Sequence, residues 1–152
     1  MDESRAEFVV RPIHPGDASA LAELEARCAE SARWGKDGYQ KVGSAGVNGW
    51  VARRNDRILG FVLIRNIADE IEILNLAVDP EERRNGIGRR LLRRTMHVAD
   101  QHHVLQVHLE VRESNATARA FYASEGFAEH GRRKNYYSHP VEDAILLTLQ
   151  TG

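Results

Sequence analysis

Hydrophobic and polar positions alternate in two rhythms along the chain, and each change of rhythm marks an element. Phe8-Val9-Val10-Arg11 reads as a short strand closed by Pro12. Asp17 stands where a helix cap belongs, and Leu21, Leu24 and Cys28 then fall on one helical face. From Gly35 to Gly49, five glycines punctuate Lys36, Tyr39 and Lys41, which predicts a long surface loop starting beside Trp34. Loops of that length inside a domain are often functional. Trp50-Val51-Ala52 and Gly60-Phe61-Val62-Leu63-Ile64 flank a turn at Asn55-Asp56, a hairpin pattern. Ile71 to Val78 forms the next strand, stopped by Asp79-Pro80.

At Ile87 the period becomes helical. Ile87, Leu91, Met96, Val98 and Ala99 predict an apolar stripe flanked by Arg89, Arg90, Arg93 and Arg94. Leu105, Val107, Leu109 and Val111 alternate with Gln106, His108 and Glu110, which predicts a strand with one polar face. Ala116 to Ser124 predicts a short helix ended by Gly126, and Ile145, Leu147 and Leu149 a last strand. Interleaved strands and helices place the chain in the α/β or α+β class, with helices packed on a sheet.

Composition narrows the function classes. With 152 residues, 42% hydrophobic and 28% charged, the chain is globular rather than disordered or fibrous. Neither a repeat nor a linker divides it, so residues 1–152 are expected to form one domain. A net charge of −1 supplies no global field for nucleic acid. No apolar run is long enough for a membrane span, and Met1-Asp2-Glu3 is unlike a secretory signal. A lone cysteine, Cys28, excludes an internal disulfide and reads as a small core residue. A cytoplasmic location is expected. His97, His102 and His103 lack the spacing of a helical zinc site, so no metal is expected.

The most informative stretch runs from Leu76-Ala77-Val78-Asp79-Pro80 through Arg83-Arg84-Asn85-Gly86-Ile87-Gly88 into the arginine-rich helix. A strand passing through a glycine loop into a helix start points several N–H groups at one place, where the helix dipole favours an anion. Gly86 would admit a ligand to the backbone, and Gly88 would let the helix pack close to the sheet. The arrangement suits a pyrophosphate. It lacks both the Lys-Ser/Thr ending of a P-loop and the third glycine of a dinucleotide fingerprint. The bland alternative is a glycine turn beside a solvated arginine face.

Asn-Leu-Ala-Val-Asp-Pro (75–80), the loop from Arg83 to Gly88, Leu-Glu-Val-Arg-x-Ser-Asn (109–115) and Ala-Phe-Tyr-x-x-x-Gly-Phe (120–127) together resemble the GNAT acetyltransferase superfamily. Asn135-Tyr136-Tyr137 and Glu142-Asp143-Ala144 are similar to its RimI-type branch, whose members modify the N-terminal alanine of a small-subunit ribosomal protein. The likeness runs from Ile58 onward; Arg33-Trp34-Gly35 stands where that branch usually has a Pro-Trp pair. The resemblance implies a GNAT-like fold: a mixed, mostly antiparallel sheet with splayed middle strands and helices on both faces.

It also implies acetyl-coenzyme A as the acyl donor. Amides of Arg83, Arg84, Asn85, Gly86, Ile87 and Gly88 would hold its pyrophosphate. Leu76, Ala77 and Val78 would meet the pantetheine arm, and Arg89 and Asn115 would lie along the coenzyme. Tyr122, two helical turns after Asn115, is suited to protonate a leaving thiolate, and a core aromatic is its alternative reading. Glu110 is the implied base toward the acceptor amine, with Glu72 competing. Tyr136 and Tyr137 would contact the acceptor backbone, and Trp34, with Tyr39 beside it, would form the other wall. The implied acceptor is a protein N-terminus. The competing functions are acetylation of a small-molecule amine and a non-catalytic acyl-coenzyme A-binding module.

Overall fold

In the computed structural model residues 7–28 and 34–151 are described; Met1-Asp2-Glu3 and Arg33 lie outside them. The Asn55-Asp56 hairpin forms as its pattern predicts. Strand β2 (Val47–Arg54) turns through Asn55, at a left-handed φ of 54°, into β3 (Arg57–Ile67). With β1 (Val9–Pro12), β4 (Glu70–Val78), β5 (Gln106–Arg112), β6 (Ala128–Tyr137) and β7 (Glu142–Gln150) they make one sheet, ordered β1-β2-β3-β4-β5-β7-β6. Every neighbouring pair is antiparallel except β4 and β5, which run parallel.

Helices cover both faces. Leu21, Leu24 and Cys28 of α1 (Ala18–Arg27) and its C-cap, with Tyr39 of α2 (Gly35–Tyr39), pack on Val51, Phe61, Leu63 and Ala77. Ile87, Leu91 and Leu92 of α3 (Ile87–Gln101) and Tyr122 of α4 (Ala116–Ser124) pack on Val62, Ile64, Ile73 and Leu109. Burying one such leucine contributes about 1.5–3 kcal/mol. The buried stripe of α3 is Ile87, Leu91, Leu92, Thr95 and Ala99, whereas Met96 and Val98 sit at its margin. Thr95 is tolerated there because its hydroxyl donates to the Leu91 carbonyl at 3.2 Å.

Asp17 is not the side-chain cap its position suggested. Its carboxylate takes a bidentate pair from Arg11 (2.8 and 2.9 Å) and the His14 N–H (2.8 Å), tying β1 to the turn before α1.

One irregularity shapes the centre of the sheet. Ile64 pairs with Ile73 and Leu63 with Asn75, which leaves Leu74 as an extra residue in β4. Before this bulge Ile71 and Ile73 face α3; after it Leu76 and Val78 do. A bulge bends its strand and increases local twist. β4 pairs with β5 only over Glu70–Glu72 against Gln106–His108, and the two strands part beyond that point. This is the splay that the resemblance implies.

β6 escapes a hydrophobic reading because nine of its ten residues are exposed. Pairing with β7 holds it, helped by Arg132 between Asp143 (2.7 Å) and Glu113 (3.0 Å). The segment after Trp34 is likewise no simple surface loop: residues 35–39 are helical, Tyr39 is fully buried, and β2 begins at Val47. No helix among the described residues is long and apolar enough to cross a membrane.

Candidate active site

The first hydrogen bond of α3 runs from the Arg90 N–H to the Gly86 carbonyl (3.0 Å), so the amides of Ile87, Gly88 and Arg89 have no helical acceptor. No side chain caps this end and its first turn carries no acid. Gly86 has φ +77°, and a Cβ there would meet nothing within 4 Å, which leaves the backbone open to a ligand. Arg84 also adopts a left-handed φ of 72°, a local cost of about 1–3 kcal/mol of the kind found at ligand clamps. Arg83 and Arg84 are exposed, and neither forms an ion pair among the described residues. An uncapped helix start beside unneutralised guanidiniums fits a diphosphate.

Close packing of α3 on the sheet comes from Gly60, not Gly88. A Cβ at Gly60 would lie 2.9 Å from the Ala77 carbonyl oxygen and 3.0 Å from Ile87, whereas one at Gly88 would meet Phe121 at an ordinary 3.6 Å. Other basic residues are committed elsewhere. Arg89 pairs with Glu125 of α4 (3.3 Å). Arg90 and Arg94 lie over Phe8 and Trp50, and with Arg93, His97 and Val10 they line a groove beside β1.

Asp79 anchors the loop from behind. Fully buried, it accepts from the Glu81 N–H (3.0 Å) and pairs with Arg57 (2.7 Å) and Arg27 (3.1 Å), both half-exposed. Glu82 adds a pair with Arg54 and accepts from the Asn85 amide, each at 3.2 Å. Burial alone would push the Asp79 carboxyl up; the Glu81 N–H and the guanidiniums outweigh it and hold it below the usual range. Asp79→Ala is expected to cost about 1–3 kcal/mol, read as a lower urea midpoint at pH 7. With the folded pKa depressed, this contribution is complete above the unfolded value of about 3.9 and vanishes as pH falls through the folded one. Wild type and variant therefore converge in strong acid.

Tyr122 of α4 is buried, with Phe121 and Phe127 edge-on at 5.1 and 5.3 Å. Burial pushes its phenol well up, so it stays protonated at neutral pH. Its neighbour Phe121 approaches Gly88 and Val78 closes the same space, so α4, the α3 start and the end of β4 border one region. Leu76, Val78 and Tyr122 belong to one apolar cluster there. Asn115 caps α4, its side-chain oxygen accepting from the Ala118 N–H (3.1 Å).

On the opposite sheet face stand the polar candidates. Glu72 lies at the last β4–β5 pair, opposite His108, and Glu110 two residues further along β5, where the cleft opens. Glu110 pairs with Arg133 (3.0 Å) and Glu72 with Arg65 (3.3 Å). The Glu110 charge, then partial burial, raises the pKa of Tyr136, and Glu72 contributes to the same shift. Tyr137 is raised first by burial and then by Glu110. The two rings meet edge-on at 5.1 Å, and Arg112 lies 4.3 Å over Tyr137. Both carboxylates and both tyrosines thus converge on the mouth of the splay. Arg133 and Arg112 were not singled out in the sequence, where nothing distinguishes them from other surface arginines.

Trp34 is half-buried against the α1 side, whereas Tyr39 is no wall at all: its hydroxyl donates to Glu25 (2.9 Å) and accepts from Asn75 (3.2 Å) inside the core. Among the described residues no group of three His, Cys, Asp or Glu could hold a metal ion.

An uncapped helix start, a bulged β4 and a parallel splay are joined by a family match: the model for the Acetyltransferase (GNAT) family fits residues 18–127. The chain belongs to the GNAT acetyltransferase family. Among GNAT relatives, ribosomal protein bS18-alanine N-acetyltransferase from Salmonella typhimurium is 41% identical over 97 residues, which cover 62% of this chain and 66% of the relative. That match spans just under two thirds of the relative's length. The Haemophilus ducreyi protein of the same name is 30% identical over 144 residues, covering 93% of this chain and 99% of its own. The crystal structure of the ribosomal-protein-S18-alanine N-acetyltransferase from Escherichia coli superposes with a TM-score of 0.87 at 30% identity, over 96% of this chain and 95% of that one. In GNAT terms, the α3 start and Tyr122 lie on one face of the splay and Glu110 with the tyrosine pair on the other.

Proposed function

We propose that this chain transfers an acetyl group from acetyl-coenzyme A to the α-amine of a protein N-terminus, and that the acceptor is the N-terminal alanine of a small-subunit ribosomal protein. The observation that carries this reading is the two-sided splay: helix-start amides without a helical acceptor on one side, a carboxylate and two phenols on the other. The names of the full-length Haemophilus relative and of the Escherichia coli structure support the acceptor.

Bound acetyl-coenzyme A supplies an activated thioester, so that transfer forms a C–N bond and breaks a C–S bond. Amides 83–88, with Arg83 and Arg84, hold the diphosphate. Leu76 and Val78 line the pantetheine path. Tyr136 and Tyr137 orient the acceptor backbone against Trp34. Glu110 takes the amine proton, directly or through water, and Tyr122 gives its proton to the departing sulfur. Glu72, at the closed end of the cleft, is the second carboxylate within reach of that amine.

An α-amine with pKa about 7.7–8.0 is already partly neutral at pH 7, so it needs only a modest base. Glu110→Gln is expected to lower kcat/KM by about tenfold at pH 7, with the deficit shrinking as pH rises through 8. A pH–rate profile checks this; an equal deficit at every pH removes Glu110 as the base. For the acceptor itself, peptides with a free N-terminal alanine compete against polyamines and aminoglycosides, with products read by mass spectrometry. Acetyl on the peptide α-amine is expected. Acetyl on the free amines alone would move the acceptor class, and tight coenzyme binding without turnover would leave a non-catalytic module.

A further inference from the structure

We infer that Glu25 is a positioning residue for the acceptor: its buried carboxylate seats Trp34 and α2 beside the bulge where β4 leaves β5. Glu25 belongs to α1, is 4% exposed, and has no part in the steps above. One carboxylate oxygen accepts from the Trp34 N–H and the Tyr39 hydroxyl (2.9 Å), the other from the Gly35 N–H (3.2 Å). Tyr39 in turn accepts from the Asn75 side-chain amide at 3.2 Å. Asn75 directly follows Leu74, the extra residue of the β4 bulge. A continuous polar chain therefore links α1, the start of α2 and the strand that opens the cleft.

Two physical arguments separate positioning from mere stability. First, a carboxylate is costly to bury even when satisfied, and an apolar side chain of similar size commonly serves a core at least as well. Second, among the described residues the hydrogen bonds that tie residues 34–39 to other elements run to Glu25 and, through Tyr39, to Asn75. α2 has only five residues, Gly35 holds φ +69°, and Tyr39 is its one fully buried side chain. Charge-assisted bonds to consecutive amides set the entry of the chain into α2, so they set where Trp34 stands. None of these bonds reaches the α3 start or Tyr122, so coenzyme binding should be indifferent to Glu25.

The inference rests on the acceptor reading above, and its test separates the two. Glu25→Gln keeps shape but sets an amide against one of its N–H partners, Glu25→Asp keeps the charge, and Tyr39→Phe removes the hydroxyl that joins Glu25 to Asn75 while leaving the Trp34 and Gly35 amide bonds in place. All are made in a Trp50→Phe background, where Trp34 is the sole tryptophan. Glu25→Gln is expected to raise KM for an N-terminal alanine peptide by about tenfold while KM for acetyl-coenzyme A stays within about twofold. Trp34 emission should shift to the red and its quenching by acrylamide increase, with Glu25→Asp recovering most of both and Tyr39→Phe intermediate. Parallel rises in both KM values, or unchanged Trp34 emission, would overturn it. Should the parent acetylate no peptide, the acceptor reading fails, yet Trp34 emission and quenching still decide whether Glu25 seats the segment.

Discussion

Tyr122→Phe should lower kcat by about 100-fold or more while KM for acetyl-coenzyme A stays within about twofold. The phenol sits in an apolar cage of Phe121 and Phe127, and burial raises its pKa. It therefore holds its proton until negative charge develops nearby, which is what protonation of a departing thiolate requires. Its hydroxyl makes no hydrogen bond to a described residue, so phenylalanine leaves no orphaned partner and opens no cavity. The melting temperature should be unchanged or slightly higher. Steady-state kinetics with release of free coenzyme thiol, beside a thermal melt, checks both halves. Unchanged turnover would return Tyr122 to the role of a core aromatic.

Gly86→Val strikes the other half of the machinery and is expected to raise KM for acetyl-coenzyme A by more than about tenfold. A β-branched residue is an outlier at φ +77°, a strain of about 1–2 kcal/mol, and its methyls would fill the space left open before the α3 amides. Turnover at saturating donor should fall far less, because Glu110 and Tyr122 lie outside the loop. KM for the acceptor peptide should stay near wild type. Titration of coenzyme by calorimetry measures the effect directly. An unaltered affinity would mean that the diphosphate binds elsewhere.

The elements that bury one face were legible in the sequence. β5 and α3 each carry a period that only one backbone satisfies, the Asn55-Asp56 hairpin was legible instead as two apolar runs about a turn, and the Arg83–Gly88 loop stands where strand period gives way to helix period. Elements held by polar contacts were not. β6 has no apolar face and exists by pairing and by ion pairs of Arg132 with residues distant in sequence. α2 is seated by Glu25, a carboxylate indistinguishable in sequence from a solvated helix residue. The bulge at Leu74 shifts the facing of β4 by one residue, and a period-two reading that runs straight through it misassigns Leu76 and Val78. Gly60 illustrates the same limit: a glycine inside an apolar run reads as a weak strand position until Ile87 is seen resting on it. For the candidate site, Glu110 was separable as a polar-face residue of β5, whereas Tyr136 and Tyr137 came only from the family resemblance; the convergence of all three with Glu72 depends on where β4 and β5 part.

A crystal structure of the chain with coenzyme A and an alanine-terminated peptide tests the whole reading at its root. The diphosphate is expected within hydrogen-bond distance of the amides of residues 83–88, the pantetheine between β4 and β5, and the peptide amine beside Glu110. A diphosphate bound away from the α3 start, or a pantetheine arm running outside the splay, would contradict it.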